Sequence, residues 1–233
     1  RHILPYLGDA ELADLTSADL SAWWRALAAT PGARRNAYET MRALLNAAVT
    51  DDCTLLTANP LSVKGGAREA RVTSKFLYTP DQVAALAAEM PARYRALVVL
   101  LADAGLRINE ALALTRASLI EREDGGMSIR VERSLHRAGR HLEPGPTKTA
   151  AGVRTVALMA STATAMRAHL RHHVDEGPSA ILFPAPKGSG FARDTALARL
   201  LTAAHERAGI VIPDGMSGGW HALRHYSATR YGQ

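Results

Sequence analysis

Along the first sixty residues, apolar positions recur at helical spacing. Leu20, Trp23, Trp24 and Leu27 follow the cap-forming run Thr16-Ser17-Ala18-Asp19, so a helix is predicted to start there, and Pro31-Gly32 is expected to break it. Ala37, Tyr38, Met41, Leu44, Leu45, Ala48 and Val49 then recur at intervals of one, three and four, which marks one face of an amphipathic helix. Arg35 and Arg42, seven apart, share a side of it away from that stripe. Asn59-Pro60 closes the helical region. Residues 64–75, KGGAREARVTSK, hold two glycines, few apolar residues and a net charge of +3, which predicts a linker. Helical patterning resumes at Thr79-Pro80-Asp81 and covers about 80–90 and 93–104. Gly105 interrupts it, and a new helix is expected from Arg107 to Leu114. Residues 127–133 (MSIRVER) alternate as a strand does, and 153–158 (VRTVAL) predict its partner, with Thr147–Gly152 in a loop-rich connection between them. Helices return at about 161–174 and 194–208, and His221–Tyr231 closes the chain as a last helix. The expectation is a mainly α protein with a small antiparallel β-sheet. Its divisions are a helical domain at 1–63, a basic linker at 64–76 and a mixed α+β domain at 77–233.

Composition narrows the classes. Of 233 residues 47% are apolar, enough to build a sizeable core. The longest apolar run near the middle, Ala96–Ala102, stops at Asp103, far short of the ~20 residues a membrane span needs, so no membrane partner is expected. The single cysteine, Cys53, excludes an intrachain disulfide and a cysteine-based zinc cluster and fits a reducing cytosol. The chain opens at Arg1 with no methionine and no signal-peptide pattern, so it is expected to be a trimmed piece.

The net charge of +6 is uneven: residues 1–70 carry −1 and residues 71–233 carry +7. Of the 28 basic residues only four are lysine, namely Lys64, Lys75, Lys148 and Lys187. A planar guanidinium donates two parallel hydrogen bonds to phosphate, so this balance fits nucleic acid. Compositional bias in an Ala- and Arg-rich chain accounts for it equally well.

Four positions in the second domain could carry chemistry. Arg107 stands where one helix stops and another starts, close to unsatisfied backbone N–H groups that favour an anion; a salt bridge to Glu110 is the competing reading. Lys148 lies between Thr147 and Thr149 in the connection between strands, either idle in solvent or able to donate a proton to a departing alkoxide. His221 and Arg224 sit at i and i+3, on one helical face, so imidazole and guanidinium can address one ligand. His225 is four residues from His221, as in a two-histidine metal motif, but Ala222 stands in place of the glutamate such a motif needs and no third ligand is evident, so no metal site is expected.

Taken together, these residues resemble a known set. G-L-R-I-N-E (105–110), P-T-K-T with V-R-T-V-A-L downstream (146–158), I-L-F-P (181–184) and H-A-L-R-H (221–225) stand in the order found in tyrosine recombinases of the phage integrase family. The resemblance covers nearly the whole chain, with the first region similar to that family's core-binding domain. It implies that Arg107 and Arg224 are the two catalytic arginines, Lys148 the hairpin lysine and His221 the second-box histidine, with Glu110 a supporting acid and His225 a structural position. It further implies a site-specific recombinase that cuts and rejoins duplex DNA through a 3′-phosphotyrosine intermediate, using neither metal nor nucleotide cofactor. Its partners would be double-stranded DNA and other recombinase protomers, in the cytoplasm of a bacterial host. Arg35, Arg42, Lys64, Arg68, Arg71 and Lys75 are the expected DNA contacts, with the two domains closing on the duplex as a clamp. The alternative is a DNA-binding accessory protein of the same fold that never cleaves.

One departure matters. The family places its nucleophilic tyrosine a few tens of residues beyond the second arginine, whereas only nine residues follow Arg224. Tyr231 lies seven positions on, about 10 Å further along the same helix, too far to share one phosphate with Arg224. The expectation is therefore a chain that ends ahead of its nucleophile.

Overall fold

The computed structural model describes residues 1–50, 56–63, 75–139, 141–147, 152–188 and 190–231. They fall into two compact units, Arg1–Thr73 and Ser74–Gln233.

The first unit is helical: α1 (Leu4–Leu7), a single 3-10 turn (Leu12–Asp14), α2 (Ser17–Ala26) and α3 (Pro31–Thr50). Thr16 starts α2 through a reciprocal cap. Its hydroxyl accepts the Asp19 N–H, and the Asp19 carboxylate accepts the Thr16 N–H at 3.0 Å. Pro31-Gly32 does not break this helix, because α2 has already ended at Ala26; Pro31 instead begins α3, where a missing N–H costs nothing. Leu15, Leu20, Trp23, Leu27, Ala37, Met41 and Leu45 form the core. The Trp23 indole N–H donates to the His2 carbonyl at 2.9 Å, and Arg34 lies 4.5 Å over the Trp24 ring. Asn59 returns along α3 and donates to the Asn46 side chain at 2.6 Å.

The second unit opens with α4 (Pro80–Glu89), capped reciprocally by Thr79 and Gln82, and α5 (Ala92–Ala104). Tyr94, Leu97, Val98, Leu100 and Leu101 on α5 are buried, which makes this helix the axis of the core. It stops at Gly105, whose backbone takes the left-handed conformation (φ 58°) that a side chain disfavours. A short α6 (Ile108–Leu112) follows, then a 3-10 turn (Arg116–Ser118) and strands β1 (Leu119–Glu121), β2 (Met127–Val131), β3 (Arg133–Ala138), β4 (His141–Pro146) and β5 (Arg154–Ala157). The helices α7 (Ala160–His173), α8 (Asp194–Arg207) and α9 (Trp220–Tyr231) complete it.

β2 is central in an antiparallel sheet of order β1-β2-β5 and pairs with the partner expected for it, Val131 opposite Arg154. Two features depart from the sequence reading. The run 127–133 is not one strand: β2 ends at Val131 and β3 starts at Arg133. β3 and β4 form a separate antiparallel hairpin, Ala138 opposite His141, inside what reads as an irregular connection. Among the described residues of that hairpin only Leu135 is buried, and Pro144, Gly145 and Pro146 interrupt β4, so no alternation marks it. None of the described helices is long and apolar enough to cross a membrane.

Candidate active site

The site grows from the corner between α5 and α6. Because Gly105 turns the chain, Arg107 stands at the N-cap of α6 with extended backbone, and Glu110 sits one turn later. Glu110 reaches back: Oε2 accepts the Arg107 backbone N–H at 2.9 Å, and Oε1 accepts Nη1 of the Arg107 side chain at 2.8 Å. The competing salt bridge and the anion-facing position therefore coexist. The Arg107 side chain remains 51% exposed while that of Glu110 is only 2% exposed. A guanidinium has five N–H donors, so most of the Arg107 fork is left for another anion.

A second arginine shares the carboxylate. Arg154, at the start of β5, donates Nη2 to Glu110 Oε2 at 2.8 Å and Nη1 to the Gly152 carbonyl at 3.0 Å. Burial works to raise the Glu110 pKa. The hydrogen bonds from Arg154 and from the backbone and side chain of Arg107 outweigh it and hold the carboxyl below its ordinary value. Glu110 is thus an ionised, buried post between two guanidinium groups. The sequence reading passed over Arg154. Its signal was an arginine alternating with Val156 and Leu158 on the inward face of a predicted strand, where an apolar side chain is expected.

α9 brings the third arginine. Nη1 of Arg224 donates to the Gly105 carbonyl, and one turn later Ser227 Oγ donates to the Asp103 carbonyl at 2.9 Å, so α9 is fastened to the last turn of α5. A Cβ on Gly105 would stand 2.8 Å from that Ser227 oxygen, a second reason for glycine there. Burial, then the charge of Arg107 and more weakly that of Arg154, pull the Arg224 pKa below the ordinary arginine value. An arginine stays protonated regardless, so the mutual repulsion is relieved by an anion among the three.

The start of α9 is held from elsewhere. The buried Tyr78 hydroxyl lies 2.6 Å from His205 Nε2 and donates to the Gly218 carbonyl, two residues ahead of α9. A Cβ on Gly218 would meet the end of the Ile212 side chain at 2.0 Å, so a larger residue there would have to displace it.

Of the residues expected from sequence, Arg107, Glu110 and Arg224 are brought together. His221 is exposed on the first turn of α9. His225 is half-buried, and burial, then the charges of Lys75, His221 and Arg224, lower its pKa, which puts Lys75 within electrostatic reach of this helix. Arg35 and Arg42 are exposed on α3 of the first unit. Lys148, Lys64, Arg68 and Arg71 lie outside the described residues, as does Cys53.

Residues 76–233 match the pattern of the phage integrase family. An integrase of Mycobacterium phage FRAT1 is 34% identical over 192 residues, covering 81% of this chain and 56% of the relative. A putative prophage phiRv2 integrase of Mycobacterium tuberculosis (strain ATCC 25618 / H37Rv) is 31% identical over 184 residues, covering 78% and 48%. The chain thus spans about half the length of the curated relatives it matches. Among solved structures, the Tn1549 transposon integrase in complex with transposon right end DNA superposes with a TM-score of 0.77 at 18% identity, over 96% of this chain and 75% of that one. A lambda integrase dimer bound to a COC′ core site gives 0.70 at 17% identity, over 100% and 79%. The last two share the fold; the matched pattern, spanning more than half of the sequence, shows that the chain belongs to the phage integrase family.

Proposed function

We propose that this chain is the core of a site-specific recombinase that cuts and rejoins duplex DNA through a 3′-phosphotyrosine intermediate. The observation that supports this best is a cluster of three arginines: Arg107 and Arg154 share the Glu110 carboxylate, and Arg224, held on the Gly105 carbonyl, lies within electrostatic reach of all three, a net positive site open to solvent at Arg107. In this reading Arg107 and Arg224 hold the non-bridging oxygens of the scissile phosphate, where charge grows as a tyrosine oxygen, its proton passed to water, attacks phosphorus. The new bond joins that oxygen to phosphorus, the bond to the 5′ oxygen breaks, and Lys148 supplies the proton the leaving oxygen needs. His221 adds a donor from the same face of α9, Glu110 anchors Arg107, and His225 packs. The phosphotyrosine bond keeps the energy for rejoining, so no metal or nucleotide enters.

In the same reading the first unit, residues 1–63, is a core-binding domain that contacts the duplex with Arg35 and Arg42. Residues 64–76 follow the backbone with Lys64, Arg68, Arg71 and Lys75, and residues 77–233 are the catalytic domain. The partners are double-stranded core-site DNA and further protomers assembled on it, in the cytoplasm of a bacterial host.

The test is a covalent-adduct assay on a duplex nicked beside the exchange site, using protein extended along its coding sequence past Gln233. A denaturation-resistant protein–DNA band that survives EDTA and is lost in Arg107→Ala and Arg224→Ala supports the enzyme. Salt-sensitive binding with no covalent band makes the chain an accessory DNA-binding protein; a band that needs added zinc or magnesium overturns the arginine mechanism.

A further inference from the structure

Arg154 belongs to none of the roles above, yet its side chain ties β5 to the carboxylate that anchors Arg107. Its backbone is held by the sheet, opposite Val131 of β2. From there one branch of the guanidinium reaches Glu110 Oε2 at 2.8 Å and the other reaches the Gly152 carbonyl at 3.0 Å. Gly152 is itself pressed against the residue that follows β4: a Cβ on it would come within 2.5 Å of the Thr147 side chain. One side chain therefore spans the N-cap of α6, the start of β5 and the exit of the β3–β4 hairpin.

We propose that Arg154 is a positioning residue for Arg107: by holding the carboxylate that both share, it sets where the Arg107 guanidinium points. This rests on the reading that Arg107 binds phosphate. The physical reason is the enclosure of Glu110. A buried carboxylate persists only while its charge is compensated, and Arg107, being half in solvent, compensates it incompletely. Without Arg154 the carboxyl takes up a proton more readily. It then accepts the Arg107 donors less well and leaves that side chain unanchored. Lysine, a single point of charge, cannot reach both Glu110 and Gly152 as a fork does.

The charged groups around Glu110 are few. Arg107 comes from its own helix, Arg154 from β5 and Arg224 from α9. α5 contributes Asp103, whose carboxylate accepts the Met159 N–H at 2.9 Å. β3 and α8 contribute Arg137 and Asp194, which with Arg193 and His141 line a separate small cavity beside Asn109.

The experiment follows two signals in this chain by NMR. One is the Glu110 side-chain carboxyl carbon across acid pH; the other is the Arg107 and Arg224 side-chain N–H groups as inorganic phosphate is added. In the wild type Glu110 titrates below the ordinary glutamate range, and phosphate shifts both arginines. In Arg154→Ala the Glu110 titration moves upward, and the Arg107 response to phosphate is lost at mildly acid pH where the wild type keeps it. Adding Glu110→Gln removes the pH dependence of that loss, which a merely structural defect would leave in place. Arg154→Lys gives a smaller upward shift and decides the matter if the alanine variant does not fold. An unchanged Glu110 titration in both Arg154 variants, or an Arg107 response equal to that of the wild type, overturns the proposal. If phosphate moves neither arginine in the wild type, the phosphate reading fails, and the carboxyl titration alone decides whether Arg154 holds Glu110.

Discussion

The two units of the chain bury different things. Among the described residues of Arg1–Thr73, every buried side chain is apolar or aromatic, around Leu20, Trp23, Met41 and Leu45, and Arg35 and Arg42 of α3 stand outside. The second unit buries Asp103, Glu110, Ser128, Thr162, His169, His205 and Ser227 as well. On the proposed function, the difference follows from what each unit would be asked to hold. Charges that touch a polyanion work from the outer face of a helix, where water screens them and small shifts matter little. Groups aimed at one reacting phosphate must be fixed, and fixing a guanidinium takes partners that are themselves immobile and shielded. Hence Arg224 rests on the carbonyl that ends α5, and Arg107 on a carboxylate closed off from solvent.

The contrast can be broken most directly by comparing Arg224→Ala with Arg42→Ala. The first should lower the rate of covalent-adduct formation from bound DNA by on the order of 10²–10³, and the second should leave that rate unchanged. Similar losses from both would erase the division of labour. The measurement is single-turnover cleavage at saturating protein.

The next effect is on stability. Tyr78→Phe leaves the buried Gly218 carbonyl and His205 nitrogen short of a partner, which should cost the second unit about 1–3 kcal/mol in denaturant unfolding. Backbone hydrogen exchange should then rise at the start of α9 and remain unchanged throughout α2 and α3.

Acid should separate the units further. Burial lowers the pKa of His169 and of His205 from the ordinary 6.5, so the unfolded chain binds protons that the folded one refuses. Stability of the second unit therefore falls as pH drops below 6.5, and falls again as pH drops from the ordinary glutamate value of 4.5 to the depressed pKa of Glu110. The first unit buries no histidine, so the step that begins below pH 6.5 should be confined to the second unit. Exchange measured unit by unit at several pH values checks this.

The smallest effect concerns charge at the surface. If Arg35 and Arg42 each neutralise one phosphate, each alanine substitution should flatten the log–log salt dependence of duplex binding by ~0.9. A slope unchanged in both variants would remove α3 from the DNA-facing surface.

Much of this architecture was legible before any coordinates. The cap at Thr16, the Thr79-Pro80 start of α4, the stop at Gly105 and the strand character of β2 and β5 all follow from short-range signals, since caps, prolines and alternation act within a few residues. The β3–β4 hairpin escaped because its strands face solvent and carry no alternation, and Pro31 was misplaced because a proline at a helix start looks like one that ends a helix.

By itself, then, the sequence determined the helical character of the first unit, the mixed character of the second, the basic bias of the later residues, and the order of motifs that places the chain in its family. Only the tertiary structure decided that Glu110 is buried, that Arg154 shares it with Arg107, and that Tyr78 grips the turn leading into α9. The reason is distance along the chain. Arg154 is 44 residues from Glu110, and Gly218 is 140 from Tyr78. No local propensity records such a pairing, because its energy comes from excluding water around groups that meet only when the core closes.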